Sequence, residues 1–185
     1  MQAWGLTKNA QKRGSMKSNE LLLDAFARIR ETVAATLDGA SDEALLRRPS
    51  GTGNPIAWLI WHLSRVEDAQ LASAAGLEQV WTSQGFAGRF ELPLPERDTG
   101  YGHSSSQVDA VKAPPELLLD YYDAVHRQTV AFLAGLGDAD FDRIVDTRWN
   151  PPVTLGVRLV STIADCLQHA GQAAYAKGLN ARPAA

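Results

Sequence analysis

Cysteine is almost missing from this 185-residue chain. Cys166 stands alone, so no disulfide can close within the chain and no zinc site built from several thiolates is available. Any metal must be held by histidines and carboxylates. Long apolar runs are missing too, all falling well short of the ~20 residues a membrane-spanning helix needs. Met1 to Ser15 is polar and lacks the apolar stretch of a secretory signal. With one thiol and no such signal, a cytoplasmic protein is expected, its first sixteen residues a flexible extension ahead of a single domain at 17–180. Nor is there charge of one sign: the net charge is -3, with 18 basic and 21 acidic residues interspersed and no basic block. That excludes the electrostatic footprint of a nucleic-acid binder. Internal repeats are absent, and strand patterning is confined to short pieces near Arg89–Leu94.

Helical periodicity is abundant. Leu22, Phe26, Ile29, Val33 and Leu37 recur at helical spacing and predict a first helix over about Asn19–Leu37, stopped by Gly39. Asn54-Pro55 reads as a cap and first turn for a second helix, running through Trp58, His62 and Val66 to Gly76. Residues 77–113 follow without sustained period, a connection long enough to be either functional or poorly ordered. A third helix begins at Pro114-Pro115 and ends at Gly135 and Gly137. The fourth spans about Thr154–Lys177, with Gly178 as its stop. Four long helices around one core predict an all-α, up-down four-helix bundle with a long connection between its second and third helices.

The fourth helix holds the chemistry. Leu155, Leu159, Ile163, Cys166 and Ala170 form one apolar arc, and Val157, Ala164, Gly171 and Tyr175 an apolar or small second flank, so packing on both sides is expected. Between them runs a narrow polar stripe of Arg158, Ser161, Thr162, Asp165, His169 and Gln172. Asp165 and His169, four apart, project from one face; the pair is either a metal platform or a hydrogen bond on the helix surface. His62 sits mid-helix among Trp58, Leu59, Trp61 and Leu63. It is either a third ligand or a core histidine bonded to a neighbouring carbonyl or carboxylate, since burial without a partner costs free energy. Cys166 points into the apolar arc and reads as a small buried hydrophobe. His103 and Tyr101 in the glycine-flanked loop, and Arg158 on the stripe, are candidates to contact substrate. Arg158 would bind an anion or orient a carboxylate.

Trp61-His62-Leu63-Ser64-Arg65-Val66-Glu67-Asp68 and Asp165-Cys166-Leu167-Gln168-His169-Ala170-Gly171-Gln172 resemble the two signature segments of the DinB-like superfamily. That superfamily includes mycothiol-dependent maleylpyruvate isomerases and bacterial thiol transferases. The resemblance extends over nearly the whole chain from Asn19. It implies an open three-ligand metal site of His62, Asp165 and His169, with aspartate standing where histidine or glutamate is more usual. Zinc is the expected ion, with nickel or iron as alternatives, and a homodimer is implied by resemblance alone. The activity implied is a thiol S-transferase or isomerase acting on an electrophilic small molecule, with mycothiol, bacillithiol or glutathione as the low-molecular-weight thiol. Two alternatives stand beside it. One is a non-catalytic metal- or ligand-binding bundle, expected to have a closed metal shell and no pocket. The other is a metal-dependent hydrolase, which needs a base such as Glu67 or His103.

Overall fold

The computed structural model describes residues 16–180; the expected N-terminal extension over residues 1–15 lies outside the described residues. Four long helices carry the fold: α1 (Ser18–Leu37), α3 (Ile56–Ala75), α7 (Pro115–Ala134) and α8 (Leu155–Asn180). Shorter helices lie between them: α2 (Asp42–Leu46) before α3, then α4 (Val80–Ser83), α5 (Phe86–Phe90) and α6 (Ser105–Ala110) within the long connection. A small antiparallel ribbon of β1 (Ile144–Asp146) and β2 (Val153–Thr154) leads into α8. Among the described residues no helix is long and apolar enough to cross a membrane.

The sequence's four-helix bundle is present, and cross-helix contacts fix its directions. Arg30 Nε and Nη2 donate to Asp123 at 2.9 and 3.0 Å while Asn19 reaches Leu133, so α1 and α7 run antiparallel. Cys166 meets Leu63 and Arg158 meets Gln70, so α3 and α8 also run antiparallel. The long connection returns the chain to the end from which α3 began, which makes α3 and α7 parallel. The bundle is therefore up-down-down-up and not the simple up-down alternation expected, because the long connection crosses back over the bundle. α3 and α8 are neighbours although they are far apart in sequence.

α3 is the central element. Every residue from Pro55 to Arg65 is buried, as a helix apolar on nearly all sides must be. Its core partners include Phe26, Ile29, Leu118, Leu133 and Leu159, each worth ~1.5–3 kcal/mol when fully removed from water. Gly76, left-handed at φ 68, ends α3 as a glycine can without Cβ strain.

Several boundaries differ from the sequence reading. α3 begins after Pro55, and Asn54 supplies no cap. α8 continues through Gly178 to Asn180, because Lys177 Nζ donates to the carbonyls of Ala35 and Asp38 and Asn180 to that of Ala44. These ties outweigh the ~1 kcal/mol cost of glycine in a helix. The segment near Arg89–Leu94 is not a strand. Phe86 and Phe90 are a helical turn apart in α5, and both rings reach Tyr121, with centroids at 5.0 and 5.8 Å; an extended chain would separate them by ~13 Å. The second flank of α8 is open: Val157, Val160, Leu167 and Tyr175 are exposed.

The core also encloses Glu67, fully buried between α3 and α7, where Thr129 Oγ1 and Tyr122 Oη donate to it at 2.7 and 3.2 Å. Burial pushes its carboxyl up to about 7. The folded protein thus holds this proton more tightly than the unfolded chain does. Stability should be highest below the unfolded carboxyl value, fall as pH rises towards 7, and level off above it. The shift corresponds to a loss on the order of 3 kcal/mol. Glu67→Gln should flatten this slope in urea unfolding measured from pH 4 to 8; an unchanged slope would contradict the assignment.

Candidate metal centre

His62, Asp165 and His169 converge where α3 faces α8. One ligand atom from each lies within 4.8 Å of the other two, a span that an ion with bonds of ~2.0–2.2 Å bridges after small side-chain rotations. The i, i+4 spacing on α8 supplies two donors, and the antiparallel α3 supplies the third from across the interface.

The donors' hydrogen bonds suit a cation. His62 Nδ1 lies 2.5 Å from the carbonyl oxygen of Thr99. A carbonyl only accepts, so Nδ1 carries the proton and Nε2 keeps its lone pair free for a metal. Burial pushes the His62 imidazole below its ordinary value, favouring the neutral form that ligation requires. His169 Nδ1 donates to Gln172 Oε1 at 2.9 Å, and its Nε2 turns to Asp165 Oδ1 at 3.7 Å. Asp165 Oδ2 is buried without a hydrogen-bond partner among the described residues. A carboxylate oxygen left so is costly unless a cation meets it, and His/carboxylate donors suit zinc and its neighbours.

Trp58 sets the ring orientations. It stacks on His62 with centroids 4.6 Å apart and meets His169 edge-on at 6.2 Å. Its own Nε1 donates to His103 Nδ1 at 3.1 Å, and His103 Nε2 lies 3.0 Å from Asp98 Oδ2. His103, read from the sequence as a substrate contact, is instead buried behind Trp58, with 2% of its side chain exposed. Glu67 is likewise turned away into the core. Neither base suggested for a hydrolase faces the metal cluster.

A pocket of about 510 Å³ opens beside the cluster, lined by His62 and Asp165 at one end and by Thr99, Tyr101, Trp149 and Arg158 among others. Tyr101, 94% exposed, stands at its mouth. Arg158 lines the wall and pairs with Asp146 at 2.9 Å, not with Asp165. The side-chain and backbone hydrogen bonds of Arg148 hold the Asp146 carboxyl well below the usual range, with Arg158 adding to them. Sequence reasoning missed Thr99 and Gly100, and also Asp146 at the end of β1 and Arg148 and Trp149 between β1 and β2. A glycine beside the candidate Tyr101 was the only signal for the first pair.

The DinB superfamily profile matches residues 25–173. This chain belongs to the DinB superfamily. The crystal structure of a conserved protein from Enterococcus faecalis resembles this DinB chain with a TM-score of 0.82 and 31% identity, covering 89% of this chain and 98% of that one. No curated protein matches.

Within this DinB fold Gly100 has a specific task. At φ +92, a Cβ there would lie 2.7 Å from His62 Nδ1 and 3.1 Å from both Trp58 and Trp61. Only glycine lets Thr99 approach the imidazole this closely. Gly100→Ala should displace the His62 ring and weaken zinc binding by about 10–100-fold, the usual effect of losing a ligand's outer partner. Competition with a chromophoric chelator measures this, and unchanged affinity would show that the Thr99 contact does not orient the ligand.

Proposed function

We propose that this DinB protein is a divalent-metal-dependent transferase or isomerase that joins a low-molecular-weight thiol of the mycothiol type to an electrophilic small molecule. The observation that carries this reading is the three-donor cluster at one end of an accessible pocket. Three protein donors leave a position for an exchangeable ligand, as in catalytic rather than structural zinc sites. A closed shell without a pocket would have favoured the non-catalytic binding module.

A divalent ion held there would supply a Lewis acid able to lower the pKa of a bound thiol at neutral pH. His62 presents Nε2 because Thr99 fixes its tautomer, and Asp165 brings the negative charge that an ion would neutralise. Cys166 is unsuited to be the nucleophile: it is buried, burial raises its thiol well above the ordinary value, and it donates to Leu63 in the core. The attacking sulfur therefore comes from a cofactor thiol. Its sulfur would bond to an electrophilic carbon as the S–H bond breaks. The electron pair displaced from that carbon, on a leaving group or from an opened π bond, would take up the proton. Tyr101 and Arg158 line the space where the electrophile would sit. The homodimer implied by the family resemblance would pair through the outward face of α8, where Val160, Leu167 and Tyr175 are exposed.

Elemental analysis of the purified protein tests the metal reading. Near-stoichiometric zinc, nickel or iron is expected, and should be lost in a His62→Ala, His169→Ala double variant. Absence of metal even after reconstitution would remove the basis for this function. With metal present, thiol consumption should be detected when mycothiol, bacillithiol or glutathione is supplied with electrophiles.

A further inference from the structure

The pocket has a second fixed point, away from the metal donors. Arg158 Nη2 donates to Asp146 Oδ2 at 2.9 Å, and its Nη1 donates to Gln70 Oε1. Asp146 also accepts from the Arg148 backbone N–H at 3.0 Å and from Arg148 Nε and Nη2 at 3.0 and 2.8 Å. Asp146 is 7% exposed and Arg148 has 82% of its side chain exposed. A buried carboxylate thus anchors two guanidinium groups that both line the pocket. Two positive charges on one negative leave a net positive charge there. Arg158 Nε and Arg148 Nη1 make no hydrogen bond among the described residues. Guanidinium donors held in place in this way suit a planar oxyanion.

The surroundings define the rest of the ligand. Val66, Val157 and Trp149 supply an apolar wall. Trp149 is 66% exposed, a large apolar surface left open beside charged groups. Arg158 precedes Asp165 by seven residues on α8, and Gln70 follows His62 by eight on α3, so the two ends of the pocket are ~10–12 Å apart along the helices.

We infer that the Asp146-anchored pair Arg158 and Arg148 binds the carboxylate of an elongated, apolar-bodied ligand whose other end reaches the His62, Asp165 and His169 cluster. The ligand class is an ω-substituted carboxylic acid. This inference rests on the metal reading for what happens at the far end, but the carboxylate site itself does not need the ion.

Isothermal titration of the zinc-loaded protein with 6-mercaptohexanoate and its neutral counterpart 6-mercaptohexanol provides the test. The acid is expected to bind roughly tenfold more tightly. That preference should vanish in Arg148→Gln, an exposed position whose replacement leaves the Arg158–Asp146 pair intact, with zinc content unchanged. Trp149→Ala should weaken acid and alcohol alike. Mercaptoacetate, too short to span the pocket, should bind equally to wild type and Arg148→Gln. Equal affinity for acid and alcohol in the wild type, or a preference that survives Arg148→Gln, would overturn the inference and leave the metal reading standing. If zinc is not retained the metal reading fails instead. Hexanoate against hexanol on the metal-free protein then decides the carboxylate site by the same preference and the same loss in Arg148→Gln.

Discussion

A guanidinium with no access to water organises this molecule. Arg65 is fully buried in α3 and donates to the carbonyls of Asp98 and Glu96, to Gln79 Oε1 and to the Tyr121 hydroxyl, while its Cζ lies over the Trp81 ring, 4.7 Å from the centroid. One turn on, Asp68 accepts from the backbone N–H groups of Val80 and Trp81 at 2.8 Å and from Tyr121. Buried charges of this kind contribute little net stability, because desolvation offsets most of their attraction, but leaving either one unpartnered is severe. They therefore act as specifiers. Of the courses open to a connection with little periodic pattern, the one that satisfies both groups lays residues 79–98 across α3. That course delivers Thr99 to His62.

α3 accordingly serves three neighbours with three faces. Trp58, His62, Val66 and Gln70 look towards α8 and the pocket. Arg65 and Asp68 hold the connection, and Glu67 is turned to α7. The charged residues differ in how their burial is relieved. Asp68 accepts backbone donors and lies 3.6 Å from Arg65, whereas Glu67 has hydroxyl donors and no cation among its hydrogen-bond partners. This explains why burial raises Glu67 so far.

The bundle was legible because α1, α7 and α8 carry sustained 3.6-residue periodicity with proline or glycine at or near several of their boundaries. The clustering of the candidate donors was legible for a related reason: Asp165 and His169 are one turn apart, a local relation that any helix preserves, and the resemblance around His62 pointed to the third. What escaped depends on where distant segments land. Nothing local to Thr99-Gly100 states that its carbonyl meets an imidazole 37 positions earlier. The ribbon's Asp146, Arg148 and Trp149 become a pocket wall only because α3 and α8 are antiparallel. His103, a candidate substrate contact in a glycine-flanked loop, is enclosed by Trp58 and Asp98, partners that no local spacing reveals. The outer flank of α8 was misread because apolar composition predicts burial, and the intramolecular packing stops short of it.

The three donors are held with unequal firmness. His62 is enclosed within the buried first half of α3, with Trp58 stacked on one side, Gly100 close by and Thr99 bonded behind it. Asp165 and His169 sit on α8 with 36% and 19% of their side chains exposed, where a longer or shorter side chain meets fewer obstacles. Evolutionary drift in the donor set should therefore run along α8 while the α3 histidine stays put. Asp165 lies on that more open side. Any ion held there would then be tuned from the half-open wall, with the enclosed one as a fixed reference.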